Sequence, residues 1–370
     1  MAGAAFRMFY DGAPATVEQL RQVEAITVEQ EMEMAWEARL RLSLCLDDRG
    51  NWREPPNTTV RPFSRIRIEL KLGEGDFRPL IDGPVAGFDT QLSATPGVST
   101  VNIVVRDDSV LMNREEETEV FENRSDAAVA QEMFGRFPTV AGTRVGPASA
   151  VQPATVRRGT PMQFLRQLAR ANGFLAYVLP GAVPGTSLGV FDAPPSAPTG
   201  QPPLVLLGAN RNLQGATFRE DAEGPERSAT RVLTIRDQTI AASQRSFADE
   251  TLLGDLPAVG GDPGALRQLP PEEALRDDPE AAATGQSRRN AYGQRMTAAL
   301  VPGCYDAVLS AYDVVTVRAG TLPQSGDWLV HRVTHRITPS VYAQEIEAKR
   351  NAVSDAGGGG LNLGAASGLF

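Results

Sequence analysis

From Trp36 to Leu44 the chain reads Trp-Glu-Ala-Arg-Leu-Arg-Leu-Ser-Leu, with Leu40, Leu42 and Leu44 on one parity and Arg39, Arg41 and Ser43 on the other. A repeat of two constrains a chain strongly. Successive side chains of extended backbone point to opposite sides of a sheet, so this run fits a strand with one wet and one buried face. Glu, Met and Ala between Glu29 and Arg41 favour helix, but the strict alternation after Trp36 decides for strand. The same pattern recurs in Val23–Val28, Ser64–Leu72 and Ser99–Asp107, and Phe77–Phe88 reads as a short strand pair. Turn-forming clusters such as Asp47-Asp48-Arg49-Gly50-Asn51 separate these runs. A small antiparallel barrel or sandwich is therefore expected over residues 1–112.

Beyond residue 112 the period changes. Ser125–Gly135 predicts a helix capped by Ser125. The clearest helix spans 161–172: Thr160 can cap it, Pro161 suits its first turn, and Gly173 follows its end. Phe164, Leu165 and Leu168 fall at helical spacing and should face a sheet. Residues 138–156 read as a Pro/Gly/Ala-rich loop, and 193–203 as a proline-rich one. Strand patterns return at Leu204–Gly208, Ser228–Arg236, Tyr312–Arg318, Gly326–Ile337 and Val341–Ala348. The expected organisation is a first β-barrel (1–112), a small α/β domain (113–203), a second β-barrel (204–352) with a mobile, partly helical insertion at 246–287, and a Gly-rich tether (353–370). The tether carries Gly357–Gly360 and an apolar tip of Leu361, Leu363, Leu369 and Phe370. The fold class is mainly β with an α+β insertion.

Several function classes are disfavoured. The formal charge of -9 argues against a general nucleic-acid binder, which needs clustered cations to displace phosphate counterions. The amino-terminal residues lack a secretory pattern, and no apolar run reaches membrane-spanning length. Cys45 and Cys304 form no metal or disulfide spacing. His331 and His335 stand four apart on an expected strand, a spacing that would put both on one face, yet no Cys or carboxylate cluster nearby completes a metal site. No Gly-x-Ser-x-Gly elbow offers either histidine a nucleophile. Asp107-Asp108 and Glu115-Glu116-Glu117 are paired carboxylates of the kind glycosidases use, but a strand end and a polar connector fit solvated faces better. Gly73-Glu74-Gly75 lacks the Lys-Ser/Thr of a phosphate loop. No catalytic residue, cofactor or metal is expected.

Four segments, in order, resemble the late-control D family of phage baseplate hub proteins. They are the alternating pair Val23–Leu46, the helix-to-strand run Met162–Phe174, Pro203–Gly208 with Arg211-Asn212-Leu213, and Gly326–His335 with Tyr342 and Arg350-Asn351-Ala352. The resemblance implies a non-enzymatic homotrimer. Each chain would supply two tube-protein-like barrels, so that three copies form a pseudo-sixfold ring joining a sixfold tail tube to a threefold spike. Implied partners are the spike, tube or tube-initiator proteins and baseplate wedge proteins, in a particle assembled in a bacterial cytoplasm. No membrane and no specific nucleic acid is implied. Trp328, His335, Phe164 and Leu168 are expected as strand and core residues, and Leu361, Leu363, Leu369 and Phe370 as a spike contact. The net charge suggests an acidic channel. Two other readings are a tail-borne cell-wall hydrolase and the hub half of a spike split between chains.

Overall fold

The structure, a computed structural model, describes residues 4–44, 49–50, 60–95, 97–147, 150–234, 239–259, 264–269 and 279–354. Cys45 and the apolar tip with Leu361, Leu363, Leu369 and Phe370 lie outside the described residues.

The first β-unit comprises β1 (Ala4–Tyr10), β2 (Ala13–Pro14), helix α1 (Val17–Arg21), β3 (Val23–Glu31), β4 (Glu37–Ser43), β5 (Arg65–Leu72), β6 (Arg78–Gln91) and β7 (Thr100–Arg106). The alternation in β4 does what the period requires: Ala38, Leu40 and Leu42 are buried while Arg39 and Arg41 are exposed. The strand pair expected over Phe77–Phe88 is instead one 14-residue strand. β6 pairs with β5 through its first half and with β7 through its second, and the register shifts between Val85 and Gly87. Gly83 makes the crossing possible. A Cβ there would lie 1.9 Å from the Arg106 carbonyl oxygen, so only glycine lets the two backbones approach.

The middle unit comprises β8 (Glu117–Ser125), α2 (Asp126–Gly135), β9 (Val140–Val145), β10 (Val151–Gly159), α3 (Pro161–Ala171), β11 (Leu175–Pro180) and β12 (Ser187–Asp192). Thr160 and Gln163 close a reciprocal capping box on α3, and Gly173 adopts φ +64° just beyond it. Residues 138–156 are not a loop: β9 pairs in parallel with β12, and β10 pairs with β8. Phe164, Leu165 and Leu168 pack against Phe134, Ala176 and Val178 in a core of their own.

The second β-unit comprises β13 (Leu204–Val205), β14 (Leu213–Glu220), β15 (Glu226–Thr234), β16 (Thr239–Arg245), β17 (Leu256–Pro257), β18 (Ala265–Gln268), α4 (Pro279–Asn290), β19 (Gln294–Leu300), β20 (Val314–Arg318), β21 (Gly326–Ile337), β22 (Tyr342–Arg350) and β23 (Ala352–Val353). The described parts of 246–287 are built into the fold rather than hanging from it. Phe247, Leu253, Ala258, Ala282 and Ala283 are buried, and α4 lies on β15 and β16. Val353, at the expected start of the tether, pairs with Leu256.

The main strands of the two β-units form one sheet, apart from the β16-β15-β18 and β17-β23 pairings. Its order is β14-β19-β22-β21-β3-β4-β7-β6-β5-β1-β2, with β20 beside β21 and β13 beside β20. The sheet curls into an antiparallel half-barrel. One face covers two apolar cores, the first around Leu40, Ile66 and Ile103 and the second around Trp328, Val330 and Ile346.

Candidate functional site

The seam between the units is the β3–β21 pair, running from Glu31 opposite Arg332 to Ile26 opposite Ile337. On its buried side Gln30 is fully enclosed. Its Nε2 donates to the Leu80 carbonyl (2.8 Å), and its Oε1 accepts from the Ser310 hydroxyl (2.8 Å) and the Ala311 N–H (3.2 Å). One glutamine thus satisfies groups from both β-units. The third unit enters at Tyr312. Its ring stacks on Tyr177 of β11 at 3.6 Å, and its hydroxyl accepts the Glu33 N–H at 2.9 Å. Tyr312 and Glu33 both have positive φ, +75° and +61°. Non-glycine residues hold that conformation only where surrounding contacts impose it.

A buried ionic network fixes the middle unit to β5 and β6. Arg65 donates to Asp82 (2.5 Å) and, through both terminal nitrogens, to Asp108 (2.8 and 2.9 Å). Arg67, only 2 % exposed, donates to Glu69 (2.6 Å), Asp82 (2.9 Å) and the Gly181 carbonyl (2.7 Å). The Gly185 N–H donates to Asp82, and the Ser187 hydroxyl to Asp108. Asp107 and Asp108 are therefore not solvated. Asp107 accepts from the Trp36 and Ser109 N–H groups, and burial pushes its carboxyl up to about 6. Glu115, Glu116 and Glu117 are exposed.

The histidines do not share a face. A register shift between Val330 and Arg332 falls on His331 and breaks the alternation. His335 is fully buried, with Nδ1 2.8 Å from the Tyr342 hydroxyl, and burial pushes it down to about 3. His331 stands by the Glu31 carboxylate at 3.8 Å and is pushed down to about 4, by burial and then by Lys349, Arg295 and Arg332. Trp328 is enclosed and donates its indole N–H to the Gln324 carbonyl (2.8 Å). Phe164 stacks on Phe121 with centroids 5.9 Å apart, and Leu168 is buried beside it. Among the described residues no His/Cys/Asp/Glu group is placed to hold a metal, and no helix is long and apolar enough to cross a membrane.

What remains open to a partner is the other face of the sheet where the middle unit does not cover it, together with the two ends. That face is charged with both signs. Arg39 and Arg106 pair with Glu37, Arg41 with Glu24, Arg336 with Glu345, and Arg332 with Glu29 across the seam. The acidic surplus of the chain is not concentrated here. Among the described residues β14 has β19 on one side only, and the outer flank of β1 is covered only by the short β2. Between the sheet ends lies a cleft of about 470 Å³ lined by Phe6, Leu72, Leu300, Ile337 and Tyr342. An apolar hollow of about 420 Å³ beside Val17 and Leu20 continues it. Only the β-strand parts of this surface were legible in the sequence, because every junction just described joins residues far apart in the chain.

The fold is similar to that of solved phage tail proteins. The chain superposes on the tail protein of Neisseria meningitidis MC58 with a TM-score of 0.61 at 12 % identity, covering 94 % of this chain and 97 % of that one. It superposes on the 43 kDa tail protein of prophage MuSo2 from Shewanella oneidensis with a TM-score of 0.62 at 12 % identity, covering 96 % and 99 %. A third neighbour is the E. coli c3393 protein, a type VI secretion component described as similar to the T4 tail proteins gp27 and gp5 (TM-score 0.57, 9 % identity, 93 % and 76 % covered). No protein-family model and no curated relative matches the sequence.

Proposed function

We propose that this chain is the baseplate hub of a contractile injection machine. Three copies close into a ring whose six β-units adapt a sixfold tail tube to a threefold spike, and the charged sheet face lines the passage. The observation that carries the reading is the unbroken sheet. Two β-units in one polypeptide are fixed edge to edge at the β3–β21 seam, while among the described residues β14 has no second neighbour and β1 only the short β2 on its outer flank. Free sheet ends are normally covered or blunted, and a closed ring pairs them. The shared fold with tail proteins supports the same reading, as does the likeness to a chain of a Francisella PdpA–VgrG complex (TM-score 0.59, 9 % identity, 95 % and 58 % covered). The partners would be a spike, tube proteins and baseplate wedge proteins, and the location a virion or injection-particle baseplate. The protein would act by geometry, without catalysis.

Native mass spectrometry tests this. A species of three times 39.6 kDa, appearing as a ring by electron microscopy, is the expected result. A strict monomer at high concentration and with tube and spike proteins present would refute it. Clearing of a peptidoglycan zymogram by the purified chain would replace it with the hydrolase reading.

A further inference from the structure

On the charged sheet face one row differs from the rest. Arg219 of β14 stands opposite Arg295 of β19, and Arg295 opposite Lys349 of β22. Residues directly opposite in an antiparallel ladder point to the same side, about 5 Å apart, where like charges repel. Arg219 and Arg295 are exposed, and Met296, Ala348 and Phe218, their neighbours of opposite parity, face the second core. Arg39, Arg41, Arg106, Arg332 and Arg336 on this face each have a carboxylate within salt-bridge distance, whereas none of these three cations has one among the described residues. Lys349 is half-buried, with its ammonium 4.3 Å from the centre of the Tyr292 ring. His331 lies beside the row with a buried Nδ1 that has no partner. The row ends at β14, which among the described residues has no neighbour beyond β19.

We infer that the Arg219–Arg295–Lys349 row is a docking site for a carboxylate of a partner polypeptide, an Asp or Glu side chain or a chain terminus arriving at the β14 edge. Three cations held in a row without counter-charge cost stability in the free chain, and one carboxylate between them converts repulsion into charge-assisted hydrogen bonds. The site favours a discrete carboxylate over a nucleic-acid backbone. The next row on this face, two residues and roughly 7 Å along the strands, carries Glu347 and Glu31 on either side of Arg332, whose charge they already engage, so it offers no free cation to a second and third phosphate. Lys349 shows the same need for a counter-charge. Burial, then Arg295, pushes its ammonium down to about 8, with Glu33 opposing. The inference stands whether or not the chain forms a ring.

The chain contains only two lysines, Lys71 and Lys349, which makes the test direct. Reductive ¹³C-methylation of the full chain gives one resonance for each lysine side chain. At low salt, added tetraglutamate should raise the titration midpoint of the Lys349 signal and leave Lys71 in place. Binding of fluorescein-labelled tetraglutamate should weaken about tenfold or more in Arg219→Gln/Arg295→Gln. Both side chains are exposed, so that variant keeps its fold. Arg41→Gln, on the same face but already paired with Glu24, should bind as the wild type does. Absence of peptide binding, equal binding by the double variant, or tighter binding of a single-stranded oligonucleotide than of the peptide would each overturn the inference.

Discussion

Replacing Arg67 with methionine isolates the worth of the ionic network between the β5–β6 hairpin and the middle unit. Methionine preserves the apolar stem and removes the guanidinium. Glu69 and Asp82, 3 % and 0 % exposed, lose a cation at 2.6 and 2.9 Å, and the Gly181 carbonyl loses its donor at 2.7 Å. Removing one member of a buried ion pair costs about 3–5 kcal/mol, because the remaining charge stays desolvated without compensation. Here Asp82 keeps Arg65 and the Gly185 N–H, and Glu69 keeps Arg7. The expected loss therefore sits at the low end, about 3 kcal/mol. Urea denaturation followed by tryptophan fluorescence measures it, since urea, unlike guanidinium, adds no screening salt. Arg41→Met is the control. Its pair with Glu24 is 57 % and 38 % exposed, and exposed pairs contribute about 0–1 kcal/mol. Hydrogen exchange should also quicken at residues 181–187 in Arg67→Met and not in Arg41→Met. A loss no greater than that of the control would refute the claim that this network holds the middle unit in place.

Three further outcomes follow from the same structure. Gly83→Ala should abolish soluble expression or lower the melting temperature sharply, because its Cβ meets the Arg106 carbonyl at 1.9 Å, whereas Gly87→Ala, with nothing within 4 Å, should be tolerated. Tyr312→Phe keeps the stack on Tyr177 but leaves the Glu33 N–H without its acceptor, an expected loss of about 1–3 kcal/mol in the same urea assay. Both histidines are held neutral in the fold, with His335 down at about 3 and His331 at about 4. Each therefore contributes stability that is complete above the unfolded value near 6.5 and is lost as pH falls towards its folded value. Stability measured from pH 7 to 4 should fall less steeply in His331→Gln/His335→Gln than in the wild type, and an identical slope would contradict the assignment.

The sequence was most readable where local physics decided the outcome. Thr160, Pro161, Gln163 and Gly173 mark the two ends of α3 through capping and backbone freedom alone, and the Leu40-Leu42-Leu44 alternation marks β4. It was silent where an element owes its form to a distant partner. β8 carries Glu117, Glu119 and Glu122 and reads as a connector, because only Phe121 turns inward, against the second helix of the middle unit. β9 and β10 arise in a Gly/Pro-rich stretch once β12 and β8 supply ladders for them. Asp107 and Asp108 look solvated until Trp36 and Arg65, 71 and 43 positions away, arrive as partners. The cationic row draws its members from three strands, so no window of sequence displays it.

The β3–β21 seam also dictates when the protein can finish folding. Arg332 meets Glu29 across 303 positions of chain, so β3 leaves the ribosome with one flank unpaired and waits there while most of the polypeptide is still being made. Contacts of such long range form late and slowly. Meanwhile the middle unit, with its own core and short-range ladders, is free to fold first. The last-made strands then act as the closing piece that turns separately folded parts into one sheet, and premature release of a truncated chain would leave the β3 flank bare.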